Sequence, residues 1–553
     1  MLRSISALLL CALPAFGADV TVLTAGRVHT LDPQRPVAEA LAWDAGGRLL
    51  AVGSRVELAA RFPGAARMDV GDATVIPGLI DAHAHVMALG LALLRADLVG
   101  TTDKRAIVAR LQEFERTLPA GAWLLGRGWD QNDWPDSAYP TAADLDRAFP
   151  ERPVWLERID GHAGWANSAA MRAAGRDLTG DWQPEGGRIL REQRRPTGIF
   201  IDTAVALIDA VVPPADASLR ETALRGALAA VAAAGLTGLH DMGTSVDDLA
   251  LYRRFADDDR LTVRITAYAD GDGAALAALC ADGPYAHPKG RLRMAGVKLF
   301  ADGALGSRGA ALLSDYRDEP GNRGLFVTTP AALKAAMSKA LNCNLQVATH
   351  AIGDAANRFV LDLYERELLP AERTRLRWRI EHAQIVAVSD IPRFAKLQVI
   401  ASMQPVHATS DGPWVEARIG KEALPEAYAW RRFLDAGVTL AFGSDFPVES
   451  PDPRLGLYAA ITREDLDGKP PGGWLPDQKL TALEALQAFT QGAAFAGFAE
   501  REVGTLAPGL RADFVVLDHD PLTVAPREIP RTNVLSTWVD GRPVYERPPG
   551  EDR

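Results

Sequence analysis

The chain has 553 residues, of which 48% are hydrophobic and 24% charged, and its formal net charge is −11. These values are typical of a globular protein with one large domain and accessory elements. Lys and Arg are scattered and form no basic stripe, which argues against nucleic-acid binding. After the first twenty residues, no segment is long and apolar enough to suggest a membrane span.

The N-terminal stretch MLRSISALLLCALPAFGADV has the pattern of a bacterial secretory signal peptide over residues 1–18. An early arginine precedes an apolar run, and the small residues Ala15 and Gly17 suit a cleavage site. The alternative is a buried helix of the mature fold, but Pro14 and Gly17 close the run just before a strand-like segment. We therefore expect a periplasmic or secreted protein.

The cysteine count sets a limit on stabilisation by disulfides. Cys11 lies within the expected signal peptide, so processing would leave Cys280 and Cys343. Two cysteines are too few for a disulfide framework or a thiolate metal cluster.

Two flanking segments, residues 19–76 and 500–548, alternate apolar and polar residues and are interrupted by Gly, Asp and Pro. This pattern is typical of short antiparallel strands. We expect both chain ends to form one small β-sandwich, which leaves residues 77–499 for the main domain.

Residues 77–499 contain eight short apolar runs, most of them separated by Ala- and Leu-rich helical patterns. Such alternation indicates parallel β–α units, and eight strands close an α/β fold of the (β/α)8 TIM barrel type. Two intervals, at about 86–152 and 165–234, are longer than an ordinary helix and loop, and we expect insertions there over the barrel mouth. The eight runs are VIPGLIDAHAH, PVWLERIDGH, GLTGLHDMG, MAGVKLFADG, LQVATHAIGD, RWRIEHAQI, VIASMQPVH and VTLAFGSDFP.

Polar residues that bind metals or transfer protons occur at the ends of nearly all these runs. Barrel active sites form at the C-terminal ends of the strands. Seven of the ten histidines fall there, which makes a metal site the leading hypothesis. The residues are His83, His85, His162, His240, Lys298, His350, His382, His407 and Asp445.

His83 and His85 are two residues apart, so on a strand both side chains point the same way and can bind one ion. Imidazole ligands suit zinc and neighbouring transition metals better than magnesium. His350 and His382 follow mostly apolar runs, where a polar group must be paired. The alternative for His83 and His85 is a pair of strand-face histidines whose hydrogen bonds are satisfied within the protein. The alternative for His350 and His382 is that they are core histidines hydrogen-bonded to the backbone.

Asp445 is the one acid at the close of the eighth run. It can act as a metal ligand and as the base that takes a proton from water. The plainer alternative is an ordinary helix N-cap. For His162, His240 and His407, substrate contact and structural hydrogen bonding remain equally open.

The motifs PGLIDAHAH, VKLFADGALGSR, THAIGD, RIEHAQ, SMQPVHATSD and GSDFPV occur in this order over most of the chain. Together they resemble the amidohydrolase superfamily, specifically its YtcJ-like branch (amidohydrolase family 3), which includes N-substituted formamide deformylases. The resemblance implies that His83 and His85 bind a more buried metal and His350 and His382 a more exposed one. It also implies that Asp445 is a ligand and the general base.

Lys298 matches the family lysine that is carboxylated and bridges the two metals. A buried, unpaired ammonium is costly and neighbouring cations raise that cost, so the pKa of the amine should fall below about 10.4. A neutral amine can add carbon dioxide to give a carbamate. The alternatives are that Lys298 pairs with Asp302, that it reaches solvent, or that it is an imine-forming nucleophile.

The resemblance implies a metal-dependent hydrolase that cleaves a C–N bond of a small amide-like molecule, with two divalent ions, zinc being favoured. A mononuclear deaminase-like hydrolase, a metal-dependent isomerase or lyase, and a binding protein with a degenerate site are the alternatives. Trp129, Trp165 and Arg308 are candidate substrate contacts; the alternatives are packing in the lid core for the tryptophans and ordering of the loop for Arg308. A homodimer is left open.

Overall fold

The computed structural model describes residues 20–119 and 121–548. The expected signal peptide, residues 1–18, lies outside the described residues. Within them, the chain forms three β-sheets, with helices that pack mainly around the central sheet.

The strands of the described residues number 23. In chain order they are β1 (Val20–His29), β2 (Val37–Asp44), β3 (Leu49–Gly53), β4 (Ala66–Asp69), β5 (Thr74–Pro77), β6 (Leu79–Ala84), β7 (Ala96–Asp97), β8 (Leu124–Trp129), β9 (Val154–Arg158), β10 (Ala163–Ala166), β11 (Gly187–Glu192), β12 (Arg195–Asp202), β13 (Leu236–Thr244), β14 (Arg264–Asp270), β15 (Tyr285–Ala286), β16 (Leu292–Phe300), β17 (Gln346–Ala351), β18 (Arg379–His382), β19 (Ile400–Met403), β20 (Leu440–Phe442), β21 (Phe514–Leu517), β22 (Val534–Val539) and β23 (Arg542–Glu546).

The α-helices of the same residues number 18. They are α1 (Arg55–Arg61), α2 (Val86–Ala92), α3 (Lys104–Glu115), α4 (Ala142–Asp146), α5 (Ser168–Ala173), α6 (Ala206–Asp209), α7 (Ala217–Ala233), α8 (Val246–Asp257), α9 (Ala274–Asp282), α10 (Pro330–Asn342), α11 (Asp354–Glu367), α12 (Pro370–Leu376), α13 (Ile391–Leu397), α14 (Pro405–Ile419), α15 (Trp430–Asp435), α16 (Pro453–Thr462), α17 (Ala482–Gln487) and α18 (Ala493–Ala496).

The central sheet is a nearly closed barrel of eight parallel strands in the order β6, β13, β14, β16, β17, β18, β19, β20. Its strands are buried along most of their length, as expected when helices cover the outer face. The first and last strands meet at the mouth, where the Asp445 amide donates to the His83 carbonyl (2.8 Å) and the His85 amide donates to the Phe446 carbonyl (2.9 Å). The predicted (β/α)8 barrel is confirmed.

One of the eight predicted barrel strands is wrong. The run PVWLERIDGH forms β9, which pairs with β8 and β10 in a separate sheet. The missing barrel strand is β14, with the sequence RITAYAD, which pairs with β13 and β16. Both runs are strand-like, and only their hydrogen-bond partners distinguish them.

The separate sheet has six strands in the order β11, β12, β10, β9, β8, β7. It is built from residues 96–202, so the two insertions expected at about 86–152 and 165–234 belong, with the run between them, to one inserted region. Its apolar core includes Trp129, Trp134 and Trp165. We call this inserted region the lid, because several of its residues border the cavity at the barrel mouth.

Both chain ends form an eight-stranded sheet in the order β23, β22, β21, β5, β1, β2, β3, with β4 paired to β1. Trp43 on β2 packs on Phe514 and Trp538, with ring centroids 5.6 and 5.9 Å apart. Two or three strands separate these residues in the sheet order, so the sheet curls around a shared core. The two layers expected of a sandwich are therefore halves of one sheet.

A disulfide joins Cys280 of α9 to Cys343, the residue that follows α10, with their Cα atoms 5.0 Å apart. The cysteine count gave no reason to expect this bond. It links two helices on the outside of the barrel and spans a sequence separation of 63 residues.

The described residues contain no helix that is long and apolar enough to cross a membrane.

Candidate metal centre

Six side chains converge where the barrel strands end. His83 is on β6, Lys298 on β16, His350 on β17 and His382 on β18, whereas His85 directly follows β6 and Asp445 lies in the loop after β20. The ring centroids of His83 and His382 are 4.6 Å apart, as are those of His350 and His382. The sequence-predicted ligands therefore form one continuous cluster.

Lys298 is buried, with 1% of its surface exposed. Its Nζ lies 3.0 Å from His83 Nε2. Burial lowers its pKa to about 8, although Glu381 and Asp445 oppose that change. The Asp302 carboxylate, considered above as its partner, instead accepts hydrogen bonds from the amides of Ala311, Ile352 and Gly353.

Asp445 lies between the histidines of the cluster. Its Oδ1 is 3.2 Å from His85 Nε2 and 3.6 Å from His83 Nε2. Burial alone would raise the pKa of Asp445, but His83 and His85 outweigh burial and hold the pKa below its usual range. The residue is therefore a carboxylate at neutral pH.

Two residues of the cluster have left-handed backbones, with φ of 73° at His382 and 62° at Asp445. A residue other than glycine held in this conformation costs about 1–3 kcal/mol, and such strain is concentrated at functional sites. The strain turns both side chains inward at the points where their strands end.

His83 is held by the carboxylate of a buried ion pair between Glu381 and Arg379. Its Nδ1 donates to Glu381 Oε2 (2.5 Å), and Arg379 donates to both oxygens of the same carboxylate. This bond fixes the proton on Nδ1 and leaves the Nε2 lone pair for a metal. Sequence reasoning missed Glu381 and Arg379, although two charges within the apolar run RWRIEHAQI are a signal that could have indicated them.

The other histidines are oriented in a similar way. His382 Nδ1 lies 2.9 Å from Gln404 Oε1 and donates to it, because an amide oxygen only accepts. His350 Nε2 donates to the Gly303 carbonyl (3.3 Å), which leaves Nδ1 as its free nitrogen. Burial lowers the pKa of both residues, so they are neutral and able to ligate.

The cluster forms the floor of a cavity of about 880 Å³. His162 and His407 both line this cavity, as do Trp414 from the barrel side and Asp130 and Asp133 from the lid. Two sequence-predicted contact residues are therefore next to the cluster.

His162 is paired with a residue that the sequence did not indicate. Its Nδ1 lies 2.7 Å from Asp202 Oδ1, at the end of β12. Burial alone would lower the pKa of His162, but the hydrogen bond and charge of Asp202 raise it to about 9. A Cβ at Gly303 or Gly309 would lie within 3.0 Å of the Asp202 carboxylate, so these glycines of ADGALGSRG give it room.

Three predicted substrate contacts lie elsewhere. Trp129 and Trp165 are fully buried in the lid core and donate to the Leu156 and Thr141 carbonyls. Arg308 pairs with Asp318 at 3.0 Å and does not line the cavity. These three expectations are corrected, because lid packing and a surface ion pair occupy the side chains.

His240 does not line the cavity either. It is the fifth of nine residues in β13, and its Nδ1 accepts a hydrogen bond from Arg379 (2.9 Å) inside the barrel. Of the two readings left open for His240, structural hydrogen bonding is the one that its position supports.

Two groups of side chains have the geometry to hold a metal ion. The first is His83, His85 and Asp445, and the second is His382, His407 and Asp445, with the ligand atoms of each group within 4.8 Å of one another. Asp445 Oδ1 and His407 Nε2 are buried and have no hydrogen-bond partner. Orphaned buried polar atoms among imidazoles and a carboxylate fit a zinc-type ion.

The model of the Amidohydrolase family matches residues 67–545. The putative amidohydrolase YtcJ of Bacillus subtilis is 34% identical over 495 residues, which is 88% of this chain and 91% of that protein. The N-substituted formamide deformylase of Arthrobacter pascens is 29% identical over 547 residues, with 96% and 98% covered.

A solved structure is similar over nearly the same length. It is an uncharacterized metal-dependent hydrolase from Pyrococcus horikoshii, 27% identical, with a TM-score of 0.74. The match covers 92% of this chain and 99% of that one.

Proposed function

Because the chain belongs to the amidohydrolase family, it is a metal-dependent hydrolase of non-peptide C–N bonds, and we propose that it cleaves a small N-substituted amide at the barrel mouth. One observation carries the assignment of the site: the Asp445 carboxylate belongs to both groups able to hold a metal, and its buried Oδ1 has no hydrogen-bond partner.

Two divalent ions, with zinc favoured by the imidazole ligands, would be held by the six residues of the cluster. Ions bound there lower the pKa of water toward about 7 and polarise the substrate carbonyl. The ligands would be His83, His85, Lys298, His350, His382 and Asp445.

Lys298 would bind as a carbamate. The neutral amine donates its lone pair to the carbon of carbon dioxide, one C=O π pair moves onto oxygen as the N–C bond forms, and the nitrogen passes one proton to water. The product carries one negative charge on two oxygens, which suits a bridging ligand. The burial and lowered pKa of Lys298 support this step, because they make the unprotonated amine accessible near neutral pH.

Asp445 would move the proton during hydrolysis. As the water oxygen bonds to the carbonyl carbon, Asp445 accepts a proton from that water. It then delivers the proton to the amide nitrogen as the C–N bond breaks, which gives a carboxylic acid and an amine. Its ionised state at neutral pH leaves the carboxylate free to accept a proton, and its inward position supports the role of base.

The cavity wall indicates the kind of substituent that the substrate carries. Leu89, Leu93, Leu305 and Trp414 line one part of the cavity and provide an apolar surface. Such a surface would hold an apolar group on the amide nitrogen. The Arthrobacter relative is named for N-substituted formamides, and that name supports the same class of substrate.

The experiment is to purify the protein with zinc and bicarbonate, measure metal per chain, and screen N-formyl, N-acyl and lactam amides for amine release. We expect two equivalents of metal and turnover of at least one amide class. Lys298→Ala should lose metal and activity, whereas Lys396→Ala, at an exposed surface lysine, should keep both. One equivalent of metal in an active enzyme would favour the mononuclear alternative.

We also propose that the protein acts in an oxidising compartment, in keeping with the expected signal peptide. The Cys280–Cys343 disulfide supports this, because disulfides persist in secreted and periplasmic proteins and are rare in the cytosol. Fractionation of the native host with thiol labelling tests it: a cytosolic protein with two free thiols would contradict the proposal.

A further inference from the structure

His407 lies at the first turn of α14, beside the metal cluster, and is not among the six proposed ligands. It is 6% exposed and lines the cavity. Its ring is stacked parallel to that of His382, with centroids 6.2 Å apart. The residue is therefore placed to touch a substrate bound over the cluster.

The contact with Gln384 determines where the His407 proton is. Gln384 Nε2 lies 3.2 Å from His407 Nδ1. An amide nitrogen only donates, so Nδ1 must accept, and the neutral imidazole carries its proton on Nε2. This arrangement makes Nε2 a buried hydrogen-bond donor on a residue that lines the cavity.

The Nε2 donor has no partner in the protein. Among the described residues, no atom accepts a hydrogen bond from it, and Asp445 Oδ2, at 3.9 Å, is beyond hydrogen-bond distance. A buried donor without an acceptor is unfavourable, so its position calls for an acceptor from a bound molecule.

We propose that His407 Nε2–H donates to the carbonyl oxygen of the substrate amide; this rests on the proposed function. When the water oxygen bonds to the carbonyl carbon, the π electron pair moves onto that oxygen. His407 keeps its proton and stabilises the new charge through a stronger hydrogen bond, while Asp445 takes the proton of the water. The same donor orients the carbonyl before the reaction.

The alternative role of His407 is that of a metal ligand with His382 and Asp445. A ligand role requires the Nε2 lone pair and therefore a proton on Nδ1. That proton would point at the amide nitrogen of Gln384, where two donors would oppose each other. The contact with Gln384 therefore favours a donor over a ligand.

Two substitutions separate these roles. In His407→Leu the donor is lost, whereas in His407→Gln the side-chain amide can place an N–H near the position of Nε2. We expect His407→Leu to keep the metal content of the wild type and lose about 10²–10³-fold in kcat, with a smaller change in KM. His407→Gln should recover part of kcat, and His519→Leu, at an exposed histidine, should match the wild type.

The tautomer of His407 is measured independently of turnover, by NMR of zinc-loaded protein labelled with [15N]histidine and assigned with the His407→Gln variant. A proton on Nε2 is expected. A proton on Nδ1, or the loss of one metal equivalent in His407→Leu, would overturn the role of His407. Failure of the wild type to cleave any amide would instead count against the proposed function, so the two failures are distinct.

Discussion

Asp202 Oδ1 accepts a hydrogen bond from His162 Nδ1 at 2.7 Å, which holds a cavity-lining histidine in place within the lid. Asp202 ends β12 of the lid, and the His162 carbonyl in turn accepts a hydrogen bond from the Asp202 amide (2.8 Å). The His162 ring is 5.3 Å from that of His350. The lid therefore fixes the orientation of a cavity histidine through two hydrogen bonds between the same two residues.

Replacing this carboxylate should impair catalysis more than folding. Asp202→Asn keeps a side chain that tolerates the left-handed backbone (φ 50°) but removes the charge that orients His162. Misplacing a positioning group can cost about 10²-fold in rate, and we expect a fall of that order in kcat/KM at unchanged metal content. Steady-state kinetics and metal analysis check this, with Asp181→Asn at an exposed lid position as control.

Breaking the buried ion pair below His83 should destabilise the protein. Glu381→Gln leaves the Arg379 guanidinium without its counter-charge at a site with no solvent exposure. Loss of one partner of a buried pair costs about 3–5 kcal/mol, and weaker support of His83 should reduce metal affinity by about 10–100-fold. Thermal unfolding and metal titration measure the two effects.

The matched control for this change is an exposed ion pair. Glu365→Gln removes a carboxylate that pairs with Arg393 and Lys396 at the surface. Exposed pairs contribute about 0–1 kcal/mol, so this variant should unfold close to the wild type. Equal losses of stability in the two variants would contradict the expectation that the buried Arg379–Glu381 pair contributes more than an exposed pair.

Much of the site could be predicted because its residues carry a local signal. Elementary rules for strands identify His83 and His85 by their spacing. They identify Lys298 as an isolated charge in an apolar strand. The support of these ligands could not be predicted in the same way. Asp202 and Gln384 are ordinary polar residues in the sequence, and only the fold brings them next to His162 and His407.

The misassigned barrel strand has a related cause. The run at 153–162 ends in His162, which does lie at the cavity, whereas β14 ends in Asp270 without a histidine. Histidine at a strand end was therefore a good marker of the cavity but a poor marker of the sheet to which the strand belongs. Trp129 and Trp165 were poor markers of the cavity and lie in the lid core instead. Aromatic residues near a site often fill the core of the element that covers it.

Removing the metal should lower thermal stability as well as activity. Without ions, the buried Oδ1 of the Asp445 carboxylate has no hydrogen-bond partner among the described residues. A ligand at 100 times its Kd stabilises the folded state by about 2.7 kcal/mol. We expect chelator treatment to abolish amide cleavage and lower Tm, and zinc with bicarbonate to restore both. An unchanged Tm after complete metal removal would contradict the assigned site.

Reducing the disulfide should weaken the fold but leave the metal centre intact. Cys280 and Cys343 link helices on the outside of the barrel, away from the cavity residues. A disulfide closing a loop of this length contributes about 2–4 kcal/mol. The Cys280→Ala/Cys343→Ala variant should lose activity faster on heating at unchanged metal content. A reductant should accelerate inactivation of the wild type and have no effect on this variant.

The curled sheet at the chain ends has a consequence for how the protein is made. Strand β5, which leads directly into the first barrel strand, is hydrogen-bonded to β21, so that Ile76 is paired with Val515. During synthesis, β5 therefore lacks this partner until β21, which lies far later in the chain, has left the ribosome. Chains truncated before β21 leave an apolar strand edge uncovered and are open to aggregation or proteolysis. Synthesis through β21 is thus a condition for covering the strand that leads into the barrel.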